Sequence, residues 1–394
     1  MPSSPHVGAL LRLATAHRST DDRDRVHEHV ARMLHDADEA LLDELAAAVA
    51  FHGVASYMYD LVRDTPGVSE RLTERLRRQR DLAAFNHLHV ITELSYLRDT
   101  LDPKGIPWLI FKGPTLAEPV HGSAHHRSYG DLDMLVQPRH LRDTVATLEE
   151  SGCTLIDRNW TLILEEMKGE VHLLLPTGVP LDLHWHLFNE PRRREAFPVS
   201  IDALFDRART VNVSGQEVPT LSLTDTVVYV AMHTLHSGGD RLIWLKDLDR
   251  LMRSEELDVP EIAERAREWH AELVLTSALA RTELALGPVP NAEELRSCLR
   301  PSRMWLAAAT LAWRRAPAER ESGQGSLGRI VCRSTRPTQL VSFGELSRRL
   351  WARAREGNSP SVRRFAPDDP RSLQFASGGT ETREEYFRRV SSAK

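Results

Sequence analysis

The residues that decide the fold are Phe111–Val136, FKGPTLAEPVHGSAHHRSYGDLDMLV. This stretch begins where the short apolar run Ile106–Phe111 (IPWLIF) ends. It finishes with Leu132–Val136 (LDMLV), a mostly apolar segment in which Leu132 lies between two aspartates. Short apolar runs bounded by Gly, Pro and charged residues are typical of buried strands. We therefore predict two strands of one sheet, separated by a connecting loop.

The sequence downstream extends this sheet. Val171–Leu175 and Leu181–Phe188 flank the sequence PTGVP, which predicts a hairpin that turns at Thr177-Gly178. Leu141–Ser151 has the apolar spacing of an amphipathic helix. Together these elements predict a small mixed β-sheet with helices packed on it.

Helical periodicity dominates on both sides of this sheet. Asp38–Phe51 and Ser69–Thr100 repeat apolar residues at spacings of three and four, which indicates one buried stripe on each helix. Beyond the sheet the same spacing predicts four further helical stretches, Thr224–Leu235, Leu242–Arg253, Pro260–Leu286 and Met304–Ala316.

The pattern as a whole predicts an α+β protein in four consecutive segments. Residues 1–100 form an N-terminal helical region, residues 101–220 the core with the small mixed β-sheet, and residues 221–354 a C-terminal helical domain. From residue 355 the chain is rich in Ser, Pro, Asp and Arg and has few large apolar residues. We therefore expect a weakly ordered tail over residues 355–394.

Composition excludes several classes of protein. The 394 residues are 41% apolar and carry a formal net charge of −5, so nothing attracts the whole chain to nucleic acid or to anionic lipid. No apolar run reaches the roughly eighteen residues of a membrane span, and the first residues lack a secretory signal. The three cysteines form no CxxC pair, which is typical of a reducing compartment. We predict a cytoplasmic protein without a membrane segment.

Three aspartates are the candidate catalytic and metal-binding residues. Asp131 and Asp133 are two residues apart in the predicted strand, so their side chains project from the same face and repel each other. Asp182 lies at the start of the predicted strand Leu181–Phe188, with His184 at the alternate position. A neighbouring strand with a third acid completes a set that can hold two Mg²⁺ ions about 3.5–4 Å apart. For His184, a hydrogen bond that orients a carboxylate is favoured over a role as metal ligand.

Cationic and backbone groups for a phosphate chain lie before these acids. Lys112-Gly113 follows a buried strand, and a turn with exposed N–H groups and a cation suits a triphosphate. Arg127 stands four residues before Asp131 and is a candidate for neutralising phosphate charge. The alternatives are a solvated strand end for Lys112 and an ion pair with Asp131 or Glu118 for Arg127.

These pieces resemble segments of a known family. They are Lys112-Gly113, R-x-x-x-DLD at 127–133, LDLHWHL at 181–187 and AMHTLHSGGDRLIWLKDLDRLM at 231–252. All four are similar to parts of the bacterial uncharacterised nucleotidyltransferase family, of the polymerase-beta-like nucleotidyltransferase superfamily. The resemblance implies a nucleotidyltransferase core over 101–220. It also implies substrate-binding roles for His233, Arg241 and Asp247, for which interior packing is the alternative.

One departure concerns the triphosphate contact. The superfamily opens its core with Gly-Ser or Gly-Gly about a dozen residues before the acids, whereas this chain has Lys112-Gly113. Gly113 lies 131 − 113 = 18 residues before Asp131. The longer loop changes how the chain meets the phosphates.

The acids and the resemblance together predict a metal-dependent nucleotidyltransferase. It moves a nucleoside monophosphate, AMP from ATP in the first instance or from another NTP, to a hydroxyl or phosphate of a small-molecule or peptide acceptor. Mg²⁺ is the expected cofactor and Mn²⁺ the alternative, and nucleic acid is not favoured as acceptor. Two other activities stay open: a non-catalytic nucleotide-binding or sensing protein of the same fold, and a γ-phosphoryl transferase.

Overall fold

The structure is a computed structural model that describes residues 5–16, 23–299, 301–312, 327–356 and 366–393. The chain divides into two compact units. One, here called the helical unit, contains Met1–Ala84, Val120–Ser128 and Val227–Ser361. The other, here called the sheet unit, contains Phe85–Pro119, Tyr129–Thr226 and Val362–Lys394. The predicted α+β class, with a small mixed sheet and flanking helices, is confirmed.

The two units are interleaved along the chain, unlike the four consecutive segments expected from the sequence. Residues from both the N-terminal and the C-terminal helical regions belong to the helical unit, and residues 362–394 belong to the sheet unit. Periodicity reports whether a segment has a buried face, but it does not report which segment packs against that face.

Seven strands form two sheets. They are β1 (Trp108–Ile110), β2 (Leu132–Val136), β3 (Thr154–Leu155), β4 (Glu170–Leu174), β5 (Pro180–His184), β6 (Arg209–Val213) and β7 (Gln216–Thr220). The five-stranded sheet has the order β1-β2-β5-β4-β3, in which β2 and β5 are parallel and the other neighbours are antiparallel. The mixed character of the sheet therefore comes from its central strand pair.

The β4–β5 hairpin is confirmed, and a second hairpin was not predicted. Gly178 takes the positive φ of 88° that the first turn requires. In the β6–β7 hairpin, Ser214 and Gly215 both have positive φ, as two-residue hairpin turns require. Strand β6 buries only Val213, and β7 buries only Val218 and Thr220, so the apolar pattern was too weak to identify them.

Nineteen α-helices occur among the described residues. They are α1 (Pro5–Thr15), α2 (Arg23–Leu34), α3 (Glu39–His52), α4 (Ala55–Val62), α5 (Glu70–Leu101), α6 (Pro114–His121), α7 (Leu141–Glu150), α8 (Trp160–Glu165), α9 (Pro191–Ala196), α10 (Ile201–Asp206), α11 (Leu223–His236), α12 (Leu242–Leu251), α13 (Val259–Glu268), α14 (Glu272–Leu286), α15 (Ala292–Cys298), α16 (Arg303–Ala312), α17 (Leu327–Ser334), α18 (Gln339–Glu356) and α19 (Thr380–Ser391). None of the helices in the described ranges is long and apolar enough to cross a membrane.

Two predicted helices differ from the observed ones. The stretch expected over Pro260–Leu286 is two helices, because the chain turns between α13 and α14 with His270 at a φ of 53°. No Gly or Pro marks that break. The stretch expected over Met304–Ala316 is α16, and residues 313–316 lie outside the described residues.

The end of the chain is part of the sheet unit's core. Helix α19 buries Tyr386, Phe387 and Val390 against the apolar face of the sheet. The Tyr386 hydroxyl donates to the Lys168 carbonyl at 2.7 Å, and the Trp185 indole lies 2.9 Å from the Tyr386 oxygen. This part of the expected weakly ordered tail is therefore a packed helix. The apolar spacing i, i+1, i+4 that signals it is short and lies in a strongly charged segment.

Candidate active site

Strand register places two of the predicted acids, Asp133 and Asp182, and the predicted His184 on one face of the sheet. Asp133 of β2 is the direct partner of Asp182 of β5. On the other side of β5, β4 pairs His172 with Asp182 and Glu170 with His184. Because side chains alternate along a strand, these residues share one face. The opposite face is apolar and carries Leu132, Met134, Leu181 and Leu183 into the core.

Asp133, Asp182 and His184 form a close group on this polar face. Each offers one oxygen or nitrogen atom, and these three atoms all lie within 4.8 Å of one another. The group differs from the predicted trio, because Asp131 stands just before β2 and is not part of it, whereas His184 is. Asp131 is still near enough for its charge to raise the pKa of Asp182.

Asp133 is the buried centre of the group. Its side chain is 2% exposed, and it forms an ion pair with Lys112. The His184 Nε2 atom lies 3.4 Å from the Asp133 carboxylate. Burial acts to raise the pKa of Asp133, but the charges of Lys112 and His184 outweigh it, so the pKa lies below its ordinary value. Asp133 is therefore ionised at neutral pH.

Asp182 is more accessible than its strand partner. Its side chain is 22% exposed. Burial, followed by the charges of Asp133 and Asp131, raises the pKa of Asp182 to about 6, although His172 and His184 oppose this. Like charges held side by side disfavour a second ionised carboxylate. The group thus carries an electrostatic cost in the metal-free protein.

This cost predicts that Asp182→Asn stabilises the metal-free protein in a pH-dependent way. A carboxyl whose pKa is raised on folding contributes stability below its ordinary pKa near 4, and this contribution is lost as the pH rises through about 6. In EDTA at pH 7.5 we expect the variant to be more stable by about 1–2 kcal/mol, after allowance for solvent screening. At pH 4 the two proteins should unfold alike. Urea unfolding at both pH values measures this, and equal stabilities at pH 7.5 would contradict it.

His172 and Glu170 line the same face beyond the close group, and Asp157 contacts His172 there. His172 is held by Asp157, which accepts from the His172 backbone N–H at 3.0 Å and lies 2.7 Å from its Nδ1. The His172 Nε2 atom lies 3.7 Å from Asp182 and 3.7 Å from Glu170. Burial lowers the pKa of His172, but the carboxylates of Asp157, Asp182 and Glu170 together raise it to about 9.

Glu170 and Asp157 are site residues that the sequence did not identify. In β4, Glu170 alternates with His172, which is the signal that would have identified it. Asp157 precedes α8 in an irregular segment, so no spacing rule connects it with His172. Only the fold brings it to this face.

Lys112 and Gly113 lie beside the acids. The Phe111 N–H donates to the Asp133 carbonyl at 3.3 Å, which sets Lys112 next to the Asp133 side chain. Gly113 has a φ of 67°, and a Cβ there would lie 3.5 Å from the Asp131 carbonyl oxygen. The strained φ favours glycine at this position, directly before the first turn of α6.

Arg127 and Asp247 are partners in the helical unit. The Arg127 Nε donates to both Asp247 oxygens at 2.8 and 3.0 Å, and both side chains are buried. The His121 Nε2 atom lies 2.7 Å from Asp247, and the Tyr57 hydroxyl lies 2.6 Å from the His121 Nδ1. Asp247 is thus an ion-pair partner of Arg127 that the sequence did not identify.

His233 and Arg241 also lie in the helical unit. The Arg241 guanidinium lies 5.2 Å from the Trp244 ring centroid and 5.5 Å from that of Phe51. His233 meets the Trp244 ring edge-on at 5.5 Å. Burial and the charge of Arg329 lower the pKa of Arg241. The predicted substrate-binding roles of His233, Arg241 and Asp247 stay predictions.

Comparison with known proteins assigns the family. The sequence model of the uncharacterised nucleotidyltransferase family matches residues 38–287, which is more than half of the chain. The chain belongs to this family. The match includes the whole group of Asp133, Asp182 and His184 together with Lys112, so the polar face of the sheet lies inside the family region.

Two other comparisons add little to the family assignment. The crystal structure of an antigenic nucleotidyltransferase-like protein from Paracoccidioides brasiliensis is 16% identical to this nucleotidyltransferase-family chain, with a TM-score of 0.32. That match covers 57% of this chain and 96% of the fungal one. The likeness is too low to carry an argument about the site. No curated protein matches the chain.

Proposed function

We propose that this family member is a metal-dependent nucleotidyltransferase. It moves a nucleoside monophosphate, AMP from ATP in the first instance, to a hydroxyl or phosphate of a small-molecule or peptide acceptor in the cytoplasm and releases pyrophosphate. The observation that carries the proposal is the buried Asp133, registered against Asp182 and paired with Lys112. Family membership supports the same class of reaction.

The polar face of the sheet fits a divalent cation. Both His184 ring nitrogens are buried and make no hydrogen bond of normal geometry within the described residues, and the Asp133 oxygen beside them is paired with Lys112. Buried polar atoms without such partners are rare in folded proteins, and they often mark a place where an ion binds. Asp133, Asp182 and His184 would hold the cation, with Asp131 close by. A bound ion would neutralise phosphate charge and lower the pKa of the acceptor hydroxyl.

Lys112 and Asp182 have different roles in the proposed reaction. Lys112, whose Nζ lies at the Asp133 carboxylate, binds the triphosphate and neutralises its charge. Asp182 is the more exposed acid of the pair, so it faces the acceptor and takes the proton of the attacking group. The acceptor oxygen forms a bond to the α-phosphorus, and the bond from that phosphorus to the bridging oxygen breaks. The electron pair leaves with pyrophosphate.

Differently labelled ATP tests this proposal. Purified protein with Mg²⁺ or Mn²⁺ and a metabolite extract should transfer label from α-labelled ATP to an acceptor, while γ-labelled ATP should yield labelled pyrophosphate. Transfer of the γ-label to the acceptor would establish a phosphoryl transferase instead. ATP binding without any transfer across all four nucleotides would leave a sensing protein, and either result overturns the proposal.

Lys112→Gln should separate metal binding from nucleotide binding. Lys112 competes with a cation for Asp133, because both are positive and meet the same carboxylate. In the Lys112→Gln variant we expect metal alone to bind about tenfold more tightly and ATP to bind about tenfold more weakly. Each factor is the size of the effect of one charge at contact distance when solvent partly screens it. Calorimetric titrations of metal and of metal–ATP measure both values. Arg139→Gln, on an exposed ion pair of the same unit, is the control. Weaker metal binding by Lys112→Gln would contradict this role.

A further inference from the structure

His184 lies between two acids, an arrangement that a histidine serving only to orient one carboxylate does not need. Its Nε2 atom lies 3.4 Å from the Asp133 carboxylate, and its Nδ1 atom lies 3.3 Å from the Glu170 carboxylate. The side chain is 6% exposed, and neither ring nitrogen makes a hydrogen bond of normal geometry with the described residues. The edge of the ring also meets Phe111, with the centroids 5.0 Å apart, so the imidazole is held in place.

Neutral imidazole cannot satisfy both of these contacts. One ring nitrogen carries a proton and the other a lone pair. Whichever nitrogen has the lone pair then faces a carboxylate oxygen that also has only lone pairs. A positive charge on that nitrogen removes the conflict. Asp182 also offers an oxygen within 4.8 Å of the ligand atoms of His184 and Asp133. A divalent ion therefore neutralises more of the negative charge of these two carboxylates than one further proton does.

Glu170 is arranged to support a metal-binding nitrogen. One of its oxygens accepts from the Asn189 amide at 2.6 Å, which fixes the carboxylate. Its other oxygen faces the His184 Nδ1. A carboxylate that receives the outer N–H of an imidazole fixes the tautomer and raises the basicity of the inner nitrogen, as in many metal sites. In this arrangement the nitrogen with the lone pair is Nε2, which lies 3.4 Å from Asp133, in the group that also contains Asp182.

We propose that His184 is a nitrogen ligand of the active-site ion, and that the site therefore selects a first-row transition-metal ion such as Mn²⁺ over Mg²⁺. Mg²⁺ favours oxygen ligands and retains its water, whereas transition-metal ions accept imidazole readily. The proposal narrows the choice of metal that the three acids alone left open. It rests on the proposed function for the role of the ion, but the ligand itself is measurable without any transfer reaction.

Pulsed electron paramagnetic resonance of bound Mn²⁺ tests the nitrogen ligand. The full chain with substoichiometric Mn²⁺ should show the modulation of a directly bonded ¹⁴N nucleus, and labelling the histidines with ¹⁵N should change it without any mutation. His184→Gln should lose the signal. His172→Gln, on the adjacent strand and outside the close group, should retain it. Absence of nitrogen coupling in the wild-type protein, or its persistence in His184→Gln, would overturn the proposal.

Metal affinities provide the second measurement. Calorimetry should give at least tenfold tighter binding of Mn²⁺ than of Mg²⁺ by the wild-type protein, and His184→Gln should remove this difference. Glu170→Gln should weaken Mn²⁺ binding by about tenfold, the lower end of the effect of losing such a supporting carboxylate. Equal affinities for the two ions in the wild-type protein would also overturn the proposal. Nitrogen coupling without transfer would refute only the proposed function, and transfer without nitrogen coupling would refute only the ligand.

Discussion

Asp133→Asn should abolish transfer, with a fall in turnover of about 10³-fold or more. The substitution removes the buried anion at the centre of the group, which both the cation and Lys112 need as a partner. The stabilisation that a bound ion gives to a phosphoryl transition state amounts to several kcal/mol, and 1.36 kcal/mol corresponds to one factor of ten in rate. Metal affinity and turnover should therefore fall together.

Folding of the Asp133→Asn variant has to be checked separately. Removing one partner of a buried ion pair costs about 3–5 kcal/mol. The double variant Asp133→Asn/Lys112→Met removes both charges and should recover most of that stability without recovering activity. Asp143→Asn, on the exposed side of α7, is the matched surface control and should retain full turnover. Turnover of Asp133→Asn within tenfold of wild type would contradict the assignment.

Asp182→Asn should separate catalysis from nucleotide binding. Asp182 is the more exposed acid and is assigned to the acceptor side, so its loss leaves Asp133 and Lys112 to hold the metal–triphosphate complex. We expect ATP affinity in the presence of metal to stay within a few fold. Turnover should drop by on the order of 10²-fold or more, the effect of a lost general base.

Calorimetric titration of metal–ATP beside pyrophosphate release measures both quantities in Asp182→Asn and Asp133→Asn. Near wild-type turnover in Asp182→Asn would remove it from the mechanism. A loss of ATP affinity equal to that of Asp133→Asn would make Asp182 a shared anchor of the nucleotide, not an acceptor-side group. A measured stability of metal-free Asp182→Asn at pH 7.5 equal to or above that of the wild-type protein would exclude misfolding as the cause of lost activity.

The parts of the site that the sequence predicted are those fixed by strand geometry. A two-residue spacing specifies a shared face in any strand, which is why Asp182 and His184 could be placed together. Strands β2 and β5 pair in parallel, and their register makes Asp133 the direct partner of Asp182. Register of this kind depends on packing of the whole sheet, so the sequence indicated neighbouring strands without giving the partners.

Proximity along the chain does not identify the distant partners of charged residues. Arg127 forms an ion pair with Asp247, which lies 120 residues further along the chain. Its planar guanidinium needs a carboxylate when buried, and the fold determines which one it meets. The sequence analysis did not identify Glu170, because an acidic residue in a strand is usually exposed to solvent. Its significance depends on the His184 ring nitrogen across the β4–β5 pair.

The most direct test of the central claim is to identify which bond of ATP the protein breaks when no acceptor is added. Water then takes the place of the acceptor, and ³¹P NMR of a long incubation with Mn²⁺ or Mg²⁺ identifies the products. A nucleotidyltransferase should slowly form AMP and pyrophosphate, and this reaction should disappear in Asp133→Asn. Formation of ADP and inorganic phosphate that depends on Asp133 would contradict the proposed function, since the site would then act on the γ-phosphoryl group.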